Sequence, residues 1–243
     1  MHDLVSVLSA RSEPVLVSLS EDGERLELTG AVLANWVYKS AGLLAELELG
    51  PDRALGVVCP PPGALHWRAL AAMIAAWSLG SPVHLLVPGS PEPAMPWVGL
   101  RPEACPDGDA AEAVDDGSAE EVLVFATAAL ALRSEAGPGC IDFISAVRAH
   151  PDVAALAPRT AFELVDTDGR AAPVVMRDPD ADLPAPGSRI VLAGLPVAAE
   201  VPALLAALRT GSLVLTDIVD PERRGARAGS EGAIHGTIGA WTK

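Results

Sequence analysis

Apolar residues recur at three- and four-residue steps after Thr29, at Leu33, Trp36, Val37, Leu43, Leu44 and Leu47, and this spacing predicts an amphipathic helix. Thr29 is placed to cap its start and Gly50-Pro51 to stop the chain. The pattern then changes. Ala54 to Cys59 is a short, unbroken apolar run, the mark of a strand buried on both faces. Pro60-Pro61-Pro62-Gly63 breaks it, a helix is expected from Ala64 to Leu79 with Gly80 as its end, and Val83 to Val87 reads as a second strand.

The same strand–helix–strand pattern recurs later in the chain. Arg189 to Ala193 matches the first strand, Val197 to Arg209 the helix, and Gly211-Ser212 precedes a return strand at Leu213-Val214-Leu215. Both read as crossover units, in which small alanines let a helix lie close on a sheet. Between them, Glu121 to Phe125 is expected to be a central strand, Ile141 to Ala149 a helix and Phe162 to Val165 a strand. Asp166-Thr167-Asp168-Gly169 is a turn signal with Pro173 to Met176 as hairpin partner. Residues 88–118, rich in Pro, Gly, Ala and acids, read as a long connection, and residues 221–243, with little apolar periodicity, as a flexible tail. The fold class is therefore α/β: mainly parallel sheets flanked by helices, in two related halves at 1–118 and 119–220.

Composition narrows the classes of function. The 243 residues are 50% hydrophobic but only 4% aromatic, so the core is built from small aliphatics. A formal charge of −15 argues against binding a nucleic-acid backbone. The longest apolar stretch, Ala69 to Trp77, is too short for membrane insertion, which takes about 20 residues. Cys59, Cys105 and Cys140 lie far apart without metal or disulfide spacing, and no secretory signal opens the chain; the expectation is a cytoplasmic protein.

Candidate chemistry is sparse. Cys140 stands at the start of an expected helix, but His150, ten residues on, is about 15 Å away along a helix and cannot serve it as a base. Asp178, Asp180 and Asp182 alternate but lack the glycine and final glutamate of a calcium loop. His66 and His84 have no cysteine or acid at ligand spacing and read as packed histidines. No GxGxxG follows either crossover strand, and no GxSxG has a strand–turn–helix setting. These residues imply no catalytic residue, no cofactor and no metal.

The segment from Leu28-Thr29 through Val83 resembles the N-terminal region of adenylate-forming enzymes, the acyl-CoA synthetase and peptide-synthetase adenylation superfamily, and Arg189 to Leu215 resembles a later part of the same domain. Gly139-Cys140-Ile141-Asp142-Phe143 and Val147 to Asp152 look closer still to a family of short actinobacterial relatives of those enzymes. The resemblance implies an ATP site, yet its motifs are missing. Where the superfamily has a Ser/Thr/Gly-rich loop and a lysine, Val122 to Phe125 runs into Ala126 to Arg133, with one threonine, no glycine and no lysine; such a segment is expected to extend a helix or fill a core. The only lysines are Lys39 and Lys243, so the lid-domain lysine has no counterpart. Thr216-Asp217 lacks the glycine of the family's ribose motif.

In open α/β sheets, ligands bind beyond the carboxyl ends of the strands. Pro60, Thr127, Gly194 and Leu195 are accordingly the cleft candidates, bordering an apolar slot for an acyl- or adenylate-like molecule. The expected function is that of a non-catalytic binding or interaction protein, with a protein partner or a second copy of the chain among its ligands. The alternatives are an enzyme subunit and a small-molecule binder with a residual cleft. Trp97 and Trp241 are available as contact anchors, or pack locally.

Overall fold

The computed structural model describes residues 2–59, 63–103, 117–154, 156, 159, 161–175 and 187–233. Pro60, Cys105, Asp178, Asp180, Asp182 and Trp241 lie outside these residues. The element order is α1 (His2–Ser9), β1 (Pro14–Leu19), β2 (Arg25–Thr29), α2 (Gly30–Glu46), β3 (Ala54–Val58), α3 (Trp67–Leu79), β4 (Val83–Leu86), β5 (Trp97–Pro102), β6 (Glu121–Phe125), β7 (Ile141–Asp142), α4 (Phe143–Arg148), β8 (Ala161–Val165), β9 (Ala171–Val175), β10 (Arg189–Ala193), α5 (Val201–Thr210), β11 (Ser212–Thr216) and α6 (Pro221–Ser230).

Two sheets result. The larger runs β7-β6-β5-β3-β4-β8-β9 and the smaller β10-β11-β1-β2. Every pairing is parallel except β1–β2 and β8–β9, so the sheets are mainly parallel, with an antiparallel strand at one edge of each. Each crossover unit read from the sequence forms an adjacent parallel pair, β3–β4 around α3 and β10–β11 around α5. Strands from before and after residue 118 mix in both sheets: β1 lies on β11, and β8 lies on β4. Pairing follows the placement of apolar edges in space, which position along the chain does not reveal.

Local signals explain the helices. Val32 N–H donates to Thr29 Oγ1 at 3.3 Å, the cap the sequence anticipates. Helix α3 is buried on nearly every face, as a helix apolar all round must be, and it ends on Gly80 at φ 87°. Gly211 ends α5 differently. Its φ is −131°, and glycine is needed there because a Cβ would overlap the Ser188 carbonyl oxygen.

Several expectations are corrected. Residues 88–118 are not simply a connection, because β5 lies inside them. Trp97 is consequently no surface anchor: it is 1% exposed, its ring lies over Gly56, and its indole N–H donates to Ser118 Oγ at 2.9 Å. Residues 221–230 are a helix, not a frayed tail. Asp220 accepts from Glu222 N–H at 2.9 Å to cap it, and Pro221 suits its first turn. The helix expected at Ile141 to Ala149 begins two residues later, because Asp142 accepts from Ile144 N–H and Ser145 N–H and takes the cap position. Cys140 is thereby outside the helix, in front of β7. Helix α1 and the β1–β2 hairpin add elements the periodicity reading did not include.

Gly56 is a test of this packing. A Cβ at Gly56 would overlap the Trp97 ring from the neighbouring strand, so Gly56→Ala is expected to destabilise the fold by about 1–3 kcal/mol in urea denaturation.

Candidate functional site

Helix α3 starts at an unusual cap. Arg68 N–H donates to His66 Nδ1 at 3.2 Å, and His66 Nε2–H donates to the Thr127 carbonyl at 3.2 Å. Both ring nitrogens are therefore committed, with the proton on Nε2. The imidazole also stacks on Phe125, with ring centroids 4.9 Å apart. Burial, and then the nearby Arg68 charge, push the His66 pKa down to about 3, so the ring is neutral at physiological pH.

Arg68 itself is 1% exposed. Its guanidinium donates to the carbonyls of Ala126 at 2.8 Å, Ala128 at 3.1 Å, Ala129 at 3.2 Å and Ala131 at 3.5 Å. It lies 4.3 Å from the ring centroid of Trp67, which in turn meets Trp36 edge-on at 5.0 Å. Burial lowers the pKa of Arg68 to about 10, with Glu103 and Glu24 pulling the other way. The arginine thus gathers the carbonyl side of the segment that follows β6.

Three of the same segment's amides are also engaged. Ala126 N–H donates to Ser134 Oγ at 3.1 Å, Ala131 N–H to the Ala128 carbonyl at 3.2 Å, and Ala129 N–H to Glu24 Oε2 at 3.0 Å. Residues 126–133 are therefore neither helix nor core filling, contrary to the sequence expectation. They form an irregular loop, and Leu130 and Leu132 stand 82% and 72% exposed. A helix would have to turn these carbonyls onto its own amides and away from the buried cation.

Beside this loop is a cavity of about 430 Å³. It opens at the carboxyl ends of strands from both sheets: Leu19 of β1 and Leu215 of β11 from one, Val58 of β3 and Phe125 of β6 from the other. Leu26 and Leu65 complete the apolar wall, and Glu21, Asp22, Glu24 and Asp217 supply carboxylates. The first three sit on the turn between β1 and β2, closed by Gly23 at φ 98°. Helix α6 braces that turn: Arg223 pairs with Glu21, and Arg227 donates to the Gly23 carbonyl at 3.2 Å. Burial raises the Asp217 pKa, and the charges of Asp22 and Glu21 add to the effect.

Of the candidates read from the sequence, Thr127 lines the cavity together with Cys59. Gly194 and Leu195 stand to one side of it. The Gly194 carbonyl accepts from Leu65 N–H at 3.2 Å, and Leu195 packs on the core. Pro60 lies outside the described residues. Burial raises the Cys59 thiol pKa to about 12, which leaves it unreactive. Cys140 Sγ lies 3.8 Å from Arg101 Nη2, and His150 instead faces Glu46 at 3.4 Å. Burial also pushes the His84 pKa down. The acidic turn and Arg68 were not among the sequence candidates. Asp22-Gly23 between two apolar stretches is the hairpin signal that marks the turn. For Arg68 the signal is a single charge in an alanine-rich helix.

Comparison with known proteins places the fold. No family model matches the chain. A 60-residue segment is 37% identical to a TIGR03089 family protein of Mycobacterium tuberculosis, covering 24% of this chain and 23% of that one. Acetoacetyl-CoA synthetase from Streptomyces lividans superposes with a TM-score of 0.67 and 20% identity, covering 96% of this chain and 41% of that one. An acyl-CoA synthetase of Brucella canis gives 0.65 and 14%, covering 91% and 43%. An amide bond synthetase of Marinactinospora thermotolerans gives 0.61 and 18%, covering 96% and 47%. The chain has the fold of part of the adenylate-forming enzymes and spans less than half the length of these relatives.

Two outcomes follow from the geometry. Arg68→Met strands the carbonyls of residues 126–131 and is expected to cost about 3 kcal/mol or more in urea denaturation, with faster hydrogen exchange confined first to that loop. Lysine, a point charge, is expected to restore less than half of the loss. The second concerns pH. Because the folded pKa of His66 lies below its unfolded value of about 6.5, the unfolded chain binds a proton that the folded one refuses. Stability is therefore expected to fall with pH from about 6.5 downward, at roughly 1.4 kcal/mol per pH unit from this group, with His84 acting in the same direction. His66→Asn retains a capping oxygen without titrating, and is expected to flatten the slope between about pH 6 and 4.5.

Proposed function

We propose that this chain is a non-catalytic binding protein built on part of the adenylate-forming fold: it takes a small ligand at the strand-end cavity and does not activate carboxylates with ATP. The observation that carries this reading is the state of the loop after β6. A loop that holds phosphates must offer converging free amides. This one turns its carbonyls to Arg68 and gives the Ala129 amide to the Glu24 carboxylate. A triphosphate would have to displace one carboxylate and then lie beside Glu21 and Asp22. Arg68 is a poor substitute donor, because the residue is buried and both of its terminal nitrogens are engaged by the loop's carbonyls.

Protein partners fit the same surface. Leu130 and Leu132 are held outward on the loop that walls the cavity, so an interaction role and a ligand role share one site.

The test is ATP–pyrophosphate exchange with Mg²⁺ and a mixture of short, long and aromatic carboxylic acids, run beside thermal unfolding with ATP·Mg²⁺ and with AMP. The expected result is exchange at background and no change in Tm from ATP. A ligand at 100 times its Kd stabilises a fold by about 2.7 kcal/mol, so an ATP site would register. Exchange above background overturns the reading.

A further inference from the structure

The chemistry of the cavity names the class of its occupant, if the chain binds a small ligand as proposed above. Its walls are apolar and partly aromatic, with Leu26, Leu65, Phe125 and Leu215 among them. Among the described residues, the ionisable side chains lining it are four carboxylates, a cysteine and a histidine, with no arginine or lysine. Cys59 and His66 are both uncharged near neutral pH, for the reasons of burial given above. Arg223 pairs with Glu21 from outside and Arg68 acts on Glu24 from behind the loop, which leaves Asp22 and Asp217 to carry the uncompensated charge of the lining. The negative field is felt within the site, since Asp22 and Glu21 both oppose ionisation of Asp217.

Carboxylates in the lining disfavour a small anion or a nucleotide. A metal ion is a poor match also. Among the described residues no three acids, histidines or cysteines converge closely enough to cage one, so the carboxylates are spread along a rim. An occupant that suits both parts needs a positive charge for the rim and an apolar body for the walls. At about 430 Å³ the cavity falls within the range of pockets that enclose drug-sized ligands.

We infer that the cavity binds an organic amine: a protonated ammonium directed to the carboxylates of the β1–β2 turn and Asp217, with an aryl or alkyl body between the wall from Leu215 and Leu26 and that from Phe125 and Leu65. The inference rests on the binding-protein reading and goes beyond it by assigning charge and shape to the ligand.

Three probes with one apolar body test it: 3-phenylpropylamine, 3-phenylpropan-1-ol and 3-phenylpropanoate, titrated calorimetrically into the full chain at pH 7.5. The amine is expected to bind about tenfold more tightly than the alcohol, and the carboxylate not measurably. Asp22→Asn keeps an oxygen to accept from Ser20 Oγ and Glu24 N–H, and Asp217→Asn removes charge beside the turn, at the end of β11. Each is expected to weaken the amine about threefold to tenfold and leave the alcohol within twofold. Thr127→Trp, which fills the cavity, is expected to abolish amine binding while the far-UV spectrum is retained. Alcohol or carboxylate binding as tight as the amine overturns the amine assignment and leaves the binding-protein reading in place. Failure of all three probes to bind overturns it too. Pyrophosphate exchange overturns the non-catalytic reading separately.

Discussion

A guanidinium withdrawn from water needs acceptors or the face of a ring around it, and Arg68 finds them in the backbone of a single loop, which meets both terminal nitrogens, and in Trp67, while its Nε is left without a hydrogen-bond partner among the described residues. That one requirement shapes what lies around it. The loop cannot become a helix, because its carbonyls are spoken for. Three of its amides, those of Ala126, Ala131 and Ala129, are drawn to Ser134, the Ala128 carbonyl and Glu24. Its two leucines, Leu130 and Leu132, are left standing in solvent. Burial keeps His66 neutral and free to cap α3, and the Arg68 charge, which carbonyl oxygens solvate without cancelling, adds to the effect.

The cavity exists because two mainly parallel sheets present the same ends of their strands to one space. Parallel strands terminate together, and the loops leaving them must diverge, which opens a crevice. In this chain the crevice has one wall from β3 and β6 and another from β1 and β11. The β1–β2 turn folds over it, held by Arg223 and Arg227 of α6. Acidic residues concentrated on a turn repel one another and the bound arginines offset part of that, so α6 both stabilises the turn and limits its net negative charge.

The similarity to adenylate-forming enzymes is a similarity of fold, at 14–20% identity with solved structures. Their fold supplies the crevice; what a crevice does depends on the groups placed in it. Here the groups are carboxylates, a neutral histidine and an engaged loop, an arrangement with the opposite polarity to a phosphate site. The absence of glycine and lysine after β6 was legible in the sequence. The reason the loop takes its actual shape was not, since it depends on a side chain 58 to 63 residues earlier.

The helix α2, the buried strand β3 and the two crossover units were determined by the sequence itself. Periodicity and continuous apolar runs are local records of which faces meet a core, and caps such as Thr29 act within a few residues. Missing glycines and lysines likewise speak for themselves. Only the tertiary structure decided that Trp97 is buried over Gly56, that helix α6 lies against the β1–β2 turn, and that Glu21, Glu24, Thr127 and Asp217 share one cavity. Those outcomes come from contacts between segments far apart along the chain. Their energy is a property of the packed whole, and no short window of residues carries it.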